Sequence, residues 1–408
     1  MKKGNDLYTK KSIVYVACII EELSSGYNEK IHSQCFAFHN LGFQVYLYIS
    51  RVDRCVCYEV NKGRMIEIFQ KKYSFPFVLS SVKSKNIFEI FQKKYCAYLR
   101  IREFFKNLYE MNLSKKSQII YIRRVIPITN ILIEYLKKLK RNGKTIIYEY
   151  PTYPWEKEMI NGKNYFLYIL DKYYYKKLIS LVDYVPVILG KKINLSEKFI
   201  KIRNGINAQN ITTKKYNHFN DEFNMIGLGH IRYWHGYDRV IKGISNYYSS
   251  SNIKKRVYFH IVGDEKEIPR LKELVKKYKI EKYILFYGHK EGNDLNNIFD
   301  LCHVAIGSLG NHRQGLDIAC PLKNREYCAR GIPFIISFND LDFPEDFPYI
   351  KKIPANDSAV NIEEIINFYI NIEDKFPNYI ENIKNYAEKN LSWEIKLKPV
   401  VDVLNIKL

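Results

Sequence analysis

Apolar runs of strand length and amphipathic stretches alternate along this chain almost from end to end. SIVYVACII is a continuous apolar run, NEKIHSQCFAFHNLG carries apolar positions at helical spacing and closes on Gly42, and FQVYLYI is a second apolar run. QIIYIRR, ITNILIEYLKKLKRNG and KTIIYEYP repeat the same unit of strand, glycine-terminated helix and strand. Residues 86–113 and 165–182 read as longer helices dense in Lys, Tyr and Phe, the second able to cover a core with one face and lie on a membrane with the other. Between Gly205 and Glu222 the periodicity fades, which places a linker there. A second series follows: FNMIGLG, a helix over 237–248, RVYFHIVG, a helix over 267–278, ILFYG, a helix over 295–302, HVAIGSLG, a short helix over 321–330, and PFIIS. This alternation predicts an α/β chain of two tandem Rossmann-like domains, each a parallel sheet wrapped by helices, with ligands in the cleft at the carboxyl ends of the strands. The expected boundaries are 1–210, 211–388 and a carboxyl-terminal helix over 389–408, LSWEIKLKPVVDVL, that crosses back to the first domain.

Composition narrows the classes. A length of 408 residues suits two domains, and a chain that is 47% hydrophobic is folded, not disordered. The net charge of +22 is uneven: residues 1–210 hold 37 basic against 17 acidic residues, a net +20. That excess points to an anionic membrane surface, nucleic acid, or a lysine-rich solvated face. No helix-turn-helix, zinc-finger or RNP-like pattern appears, so nucleic acid is not an expected partner. The basic start followed by Ile13–Ile20 imitates a secretory signal, but the run is short and Glu21 and Glu22 follow it, so a buried first strand is expected. No run approaches the roughly 18 apolar residues needed to cross a bilayer, which makes the expected protein soluble or peripheral. The eight cysteines contain no C-x-x-C pair, which predicts free thiols in a reducing compartment and no metal site.

The candidate chemistry lies in the second half. GLGHIRYWHGYDR, residues 227–239, leaves a strand and enters a helix, where backbone N–H groups and the helix dipole favour an anion. It begins G-x-G but has Arg232 where a dinucleotide fingerprint needs glycine, which excludes NAD by that motif. Gly263 with Asp264, and Gly288, mark two further strand-to-loop turns, where glycine serves either a tight bend or a ligand's approach. In GLDIACPLKNREYCARGIPF, Cys320 suits a cap, Pro321 a first helical turn and Gly331 the residue past the helix end. The helix start, Lys323 and Arg313 together make an anion site; Glu326 either accepts hydrogen bonds from sugar hydroxyls or pairs with Lys323 one turn away. The D-x-D of NDLDFPED, Asp340 and Asp342, is expected to be an acidic surface turn and not a metal site.

The order GLGHIRYWHGYDR, HIVGDEKE, ILFYG, CHVAIGSLG, LKNREYCARGIPFI resembles the donor-binding domain of GT-B glycosyltransferases. It is most similar to the retaining family-4 type of bacterial capsule, exopolysaccharide and lipopolysaccharide clusters. SSGYNEKIHSQCFAFHNLGFQV and IIYEYPTYPWEKE resemble first-domain segments of that family, and LSWEIKLKPVVDVL resembles its crossing helix. The resemblance implies metal-independent transfer of a sugar from a nucleotide-diphosphate sugar, a co-substrate and not a cofactor, to a lipid-linked or glycan acceptor at the cytoplasmic face of the membrane. It implies that Gly229 and the residues after it, with Lys323 and the helix start, face the diphosphate, that Glu326 binds the ribose, and that the turns at Gly263 and Gly288 flank the base. Where the family carries Arg and Lys in the first donor loop, this chain has His230 and His235, with Arg232 and Arg239 nearby as substitutes. Where the family has a second glutamate eight positions before Glu326, this chain has Ile318, with Asp317 beside it; either Asp317 takes the role or the sugar-binding acid is missing. That departure keeps open a GT-B-like protein that binds a nucleotide or partner without activity. On the acceptor side the resemblance points to Gly26, Asn28, Lys30, Glu149 and Tyr153, with Glu149 a possible base unless the leaving phosphate itself takes the proton.

Overall fold

In a computed structural model the chain separates into two units, residues 1–189, 194–202 and 397–408, and residues 190–193 and 203–396. The structure describes residues 11–21, 25–75, 87–111, 113, 117–156, 165–189, 193–218, 221–250, 255–264 and 266–407.

The first unit is built on an eight-stranded sheet. Its elements in chain order are β1 Ser12–Ile20, α1 Ser25–Asn40, β2 Gln44–Ser50, β3 Arg54–Asn61, β4 Arg64–Lys72, α2 Ile87–Glu110, β5 Ile119–Arg123, α3 Asn130–Arg141, β6 Thr145–Tyr153, α4 Tyr165–Leu181, β7 Val185–Leu189 and β8 Phe199–Ile202. The strand order is β4-β3-β2-β1-β5-β6-β7-β8. From β2 to β8 through β1 neighbouring strands are parallel; the apolar runs of β1, β5, β6 and β7 are buried on both faces, as strands covered on both sides must be, while edge strand β8 exposes Lys201. The hairpin β3–β4 adds two antiparallel strands that the alternation did not foretell. Its turn is Lys62-Gly63, both at positive φ, the backbone twist that suits a two-residue hairpin. Edge strand β4 is mostly exposed and ends on Lys71 and Lys72, charges that discourage pairing with another chain. Helix α3 shows how the pattern becomes packing: Leu132, Ile133, Tyr135, Leu136 and Leu139 share one buried stripe, and the Thr129 hydroxyl accepts from the Leu132 N–H to cap the start. It packs against both α2 and α4. Right-handed crossovers place α2, α3 and α4 on one face of the sheet and α1 on the other.

The second unit holds a six-stranded, wholly parallel sheet. Its elements are β9 Glu222–Leu228, α5 Tyr237–Ser249, β10 Arg256–Val262, α6 Ile268–Tyr278, β11 Ile284–Gly288, α7 Gly292–Leu301, β12 Val304–Ile306, α8 Leu322–Arg330, β13 Phe334–Ile336, β14 Ile350–Lys352, α9 Ile362–Lys375 and α10 Tyr379–Asn390. Helix α11, Trp393–Lys407, starts in this unit, and its residues from Leu397 onward belong to the first. The strand order β11-β10-β9-β12-β13-β14 means that the chain builds outward from β9 in one direction, then returns to β9's other side with β12. Ligands of open parallel sheets collect outside the carboxyl ends of the strands where the direction reverses, here between β9 and β12. Helices α9 and α10 had no counterpart in the sequence reading; Asn361 caps α9 by accepting from the Glu364 N–H. All eight cysteines are free thiols. Among the described residues no helix is long and apolar enough to cross a membrane.

Candidate anion-binding site

At the reversal point the loops after β9 and β12 are stitched together: the Leu309 N–H donates to the His235 carbonyl at 2.9 Å and the Gly310 N–H to the Trp234 carbonyl at 3.0 Å. Helix α8 is fastened beneath them by Tyr327. Its hydroxyl accepts from the Leu228 N–H at 3.1 Å and donates to the Ile306 carbonyl at 3.0 Å, so one side chain ties the ends of β9 and β12. The first helical residue of α8 is Leu322. Pro321, expected inside the first turn, is extended (φ −73°, ψ 140°) and takes the cap position that Cys320 was expected to hold, while Gly331 ends the helix in the left-handed conformation as expected.

Three glycines cross the strand ends side by side. The Gly229 N–H donates to the Val262 carbonyl and the Gly263 N–H to the Gly288 carbonyl. A Cβ on Gly263 would lie 1.9 Å from the Gly229 carbonyl oxygen, so this glycine is required by close backbone approach as well as by its φ of 127°. Gly263→Ala is therefore expected to destabilise the second unit by about 1–3 kcal/mol and to displace the Gly229 loop, measurable as a lowered denaturation midpoint. Gly229 differs: at φ 121° its missing side chain leaves room, with only the Lys323 Cε close, at 3.9 Å.

Lys323 thus stands beside the Gly229 backbone, on the second residue of α8. Its ammonium lies 3.4 Å from the Tyr237 hydroxyl and 5.4 Å from the ring centre. Burial pushes its pKa down to about 7. His235 is buried and accepts from the Arg232 N–H through Nδ1; burial first, then Lys323, Arg232 and His230 in turn, hold its pKa well below the ordinary value, so the ring is neutral. Lys323 and Arg232 are the cations that act on this ring beside the Gly229 loop. The start of α8, with the positive end of its dipole, and the Lys323 ammonium make a receptor for a phosphate-like anion.

Other expected members lie elsewhere. Arg313, proposed with Lys323 for an anion, instead forks onto Asp238 at 2.9–3.0 Å, donates to Asp357 at 2.8 Å and reaches the Tyr233 carbonyl at 2.6 Å. Arg239, offered as a substitute cation, is buried and donates to the carbonyls of Leu309, in the loop after β12, and of Pro354 and Ser358, in the loop after β14, clamping the two loops together. Glu326 pairs with Arg330, four residues on, at 3.0 Å and not with Lys323. Asp264 is exposed, its carboxylate over the Gly288 turn, and its carbonyl accepts from the Ile231 N–H. Asp317 and Ile318 lie on a short extended segment that bridges to Asn339, so their side chains take opposite directions. Asp317 lines a recess of about 390 Å³ with His312, Ser337, Asn339 and Lys352, a set that includes neither Gly229 nor Lys323.

The D-x-D is a correction. Asp340 and Asp342 are buried, not a surface turn. Arg325, wholly buried on α8, forks onto both carboxylates, with Asn324 on Asp340 and Arg203 and Lys396 on Asp342. Burial would raise the Asp342 carboxyl, but Arg325 and Lys396 outweigh it and hold the pKa at about 2. Cys320 approaches the same pair, and these three groups are close enough to hold a metal ion. The oxygens already face cationic and amide donors, which does not fit a metal. No signal in the sequence distinguished Arg325 from its neighbours, because its partners follow it by 15 and 17 residues across a loop.

In the first unit, the acceptor-side candidates Lys30 and Glu149 do come together. Glu149 is wholly buried; Lys30 lies 3.1 Å and Arg123 3.7 Å away, and the hydroxyls of Tyr121 and Tyr15 donate to it. Burial alone would raise its pKa, yet Lys30 and Arg123 hold it below the ordinary carboxylate value. A carboxylate so stabilised as an anion is a weak base. Gly26 is in the first turn of α1, Asn28 donates to the Glu21 carbonyl, and Tyr153 meets the Tyr175 hydroxyl at 3.1 Å.

Residues 209–345, which span this site, match the family model for glycosyl transferases group 1. Comparison with curated protein sequences yields no match. Among solved structures, a glycosyltransferase from Rickettsia africae superposes with a TM-score of 0.58 at 16% identity, over 97% of this chain and 98% of that one. The lipopolysaccharide outer core galactosyltransferase WaaB gives 0.52 at 13%, over 97% and 100%. Anabaena HepE, solved in complex with UDP-glucose, gives 0.55 at 10%, over 97% and 99%. At these identities the likeness establishes the fold: two Rossmann-like halves of the GT-B class.

Proposed function

We propose that this chain is a glycosyltransferase that moves a sugar from a nucleotide-diphosphate donor to a glycan acceptor. The observation that carries this reading is the convergence of Lys323, the start of α8 and the Gly229 loop with its histidines and Arg232 at the reversal point of the second sheet. When the glycosyl bond breaks, negative charge grows on the departing diphosphate, and preset N–H groups and an ammonium in a desolvated site stabilise that charge as it develops. The group 1 match across residues 209–345 and the UDP-glucose held by HepE support a nucleotide-sugar donor. Glu326, one turn beyond Lys323 on α8, would take the ribose hydroxyls, and the turns at Gly263 and Gly288 would border the base. With Glu149 held as an anion by Lys30 and Arg123, deprotonation of the acceptor would fall to the leaving phosphate, as in a retaining reaction without metal. The lipopolysaccharide role of WaaB supports a lipid-linked acceptor and a place in surface polysaccharide assembly at the inner face of the cytoplasmic membrane.

The test is a panel of nucleotide sugars, with release of the nucleoside diphosphate followed by a coupled assay. One donor should be cleaved above background, and its cleavage should fall sharply in Lys323→Met. Absence of binding and of release with every donor would overturn the proposal.

A further inference from the structure

Helix α4 of the first unit carries an exposed face that mixes apolar and basic side chains. Helix α4 is fixed in rotation by Asp171, which is buried and accepts from the Ile128 N–H at 2.6 Å and from Arg124 at 3.1 Å. With Asp171 inward, the helical period turns residues 169, 172, 173 and 176 outward together. They are Ile169, Lys172, Tyr173 and Lys176, all exposed; Tyr173 is 75% and Ile169 48% accessible. Helix α2, on the same face of the sheet and joined to α4 through α3, adds Tyr95 at 63%. Across α2, α3 and α4 the described residues include eight exposed cations and two exposed carboxylates, Glu110 and Glu134.

We infer that this layer, led by the Ile169–Tyr173 stripe of α4, is the surface by which the chain docks on an anionic lipid bilayer. This inference extends the reading of a lipid-linked acceptor and localises it to named residues. A single-stranded nucleic-acid site would call for a groove lined by cations and stacking aromatics, whereas this is the outward face of one helix with an aliphatic side chain at its centre. Here an aliphatic side chain and tyrosines alternate with lysines on a helix too polar to insert fully. That is the composition of a helix lying in the headgroup region: Ile169 and Tyr173 enter the boundary between headgroups and acyl chains, and Lys172 and Lys176 extend their stems along it and place their ammonium groups at the lipid phosphates. The excess of cations supplies long-range attraction, which salt weakens.

The experiment is sedimentation of the full chain with phosphatidylcholine vesicles with and without phosphatidylglycerol, at low and high salt. Binding is expected only with the anionic vesicles. It should weaken at least tenfold in Lys172→Glu/Lys176→Glu and several-fold in Ile169→Ser/Tyr173→Ser. All four side chains are exposed, so the variants should unfold at the wild-type temperature, and donor cleavage in solution should be unchanged. Equal binding to both vesicle types, wild-type binding by both variants, or salt-dependent retention of RNA without vesicle binding would overturn the docking surface. Vesicle binding by a chain that cleaves no donor would leave the surface standing and remove the transferase reading, which keeps the two failures distinct.

Discussion

Lys323→Met should lower the affinity for a nucleotide sugar by roughly ten- to a hundredfold, the effect of removing a hydrogen bond to a charged group worth about 1.5–3 kcal/mol. Methionine keeps most of the packing on the Tyr237 ring and removes only the charge. The same lysine sets a pH dependence. Its pKa, pushed down to about 7 by burial, leaves it largely neutral in the free protein at pH 8. A bound diphosphate favours the ammonium and raises that value, so binding takes up a proton above pH 7. Affinity should therefore be greatest below pH 7 and fall as pH rises, by at most about tenfold per unit. His235, already neutral, adds no slope in this window. Calorimetry with a nucleotide sugar, whose diphosphate does not titrate there, should show the slope in wild type and its loss in the variant. An affinity flat from pH 7 to 9, or equal in the two proteins, refutes the role given to Lys323. Folding stability supplies a control. A lysine held below its unfolded value costs most when protonated in both states, so its contribution improves as pH rises from about 7 toward the unfolded value near 10.4. The methionine variant should lack that cost and be no less stable than wild type at pH 6.

Arg325→Met should destabilise the second unit by about 3–5 kcal/mol, because it strands Asp340 and Asp342 in the interior without their main counter-charge. Urea unfolding followed by circular dichroism measures this, and a change below about 1 kcal/mol would show that Arg203, Lys396 and Asn324 suffice without the guanidinium. The cluster also sets an acid limit. Asp342, held at about 2 against an unfolded value near 3.9, stabilises the fold above pH 4, and that contribution disappears as pH falls toward 2. The two substitutions lie two residues apart on one helix. The first should alter binding with the fold intact, and the second should lower stability.

That contrast marks where the sequence was legible. Periodicity and glycine stops located the strands and helices around the site, and a helix start after a polar loop marked Lys323 and Gly229 as neighbours because their placement depends on local backbone geometry. The hairpin β3–β4 went unread because Arg54–Lys72 mixes apolar and charged positions without a clean period, although Lys62-Gly63 carried the turn signal. Arg239, Arg313 and Arg325 look alike in the sequence. Their carbonyl and carboxylate partners include groups more than 40 residues away, such as Arg313 with Asp238 and Arg239 with Ser358, and no local pattern sorts an arginine that faces solvent from one that clamps loops. For the same reason the D-x-D read as surface: two aspartates near a turn are ordinarily solvated, and only the arrival of Arg325 makes their burial tolerable.

Tyr327 gives the site a mechanical character. By holding the ends of β9 and β12 at once, it makes the spacing of those strands and the position of α8 a single variable, while Arg325 and Arg330 pin the same helix to the loop at Asp340 and to Asn296. The wall of the proposed anion receptor is consequently tied in place before any ligand arrives, and its conformational entropy would be lost during folding and not during binding. Adaptation to a different donor is then left to the loops around that wall, where side chains can change without moving Lys323.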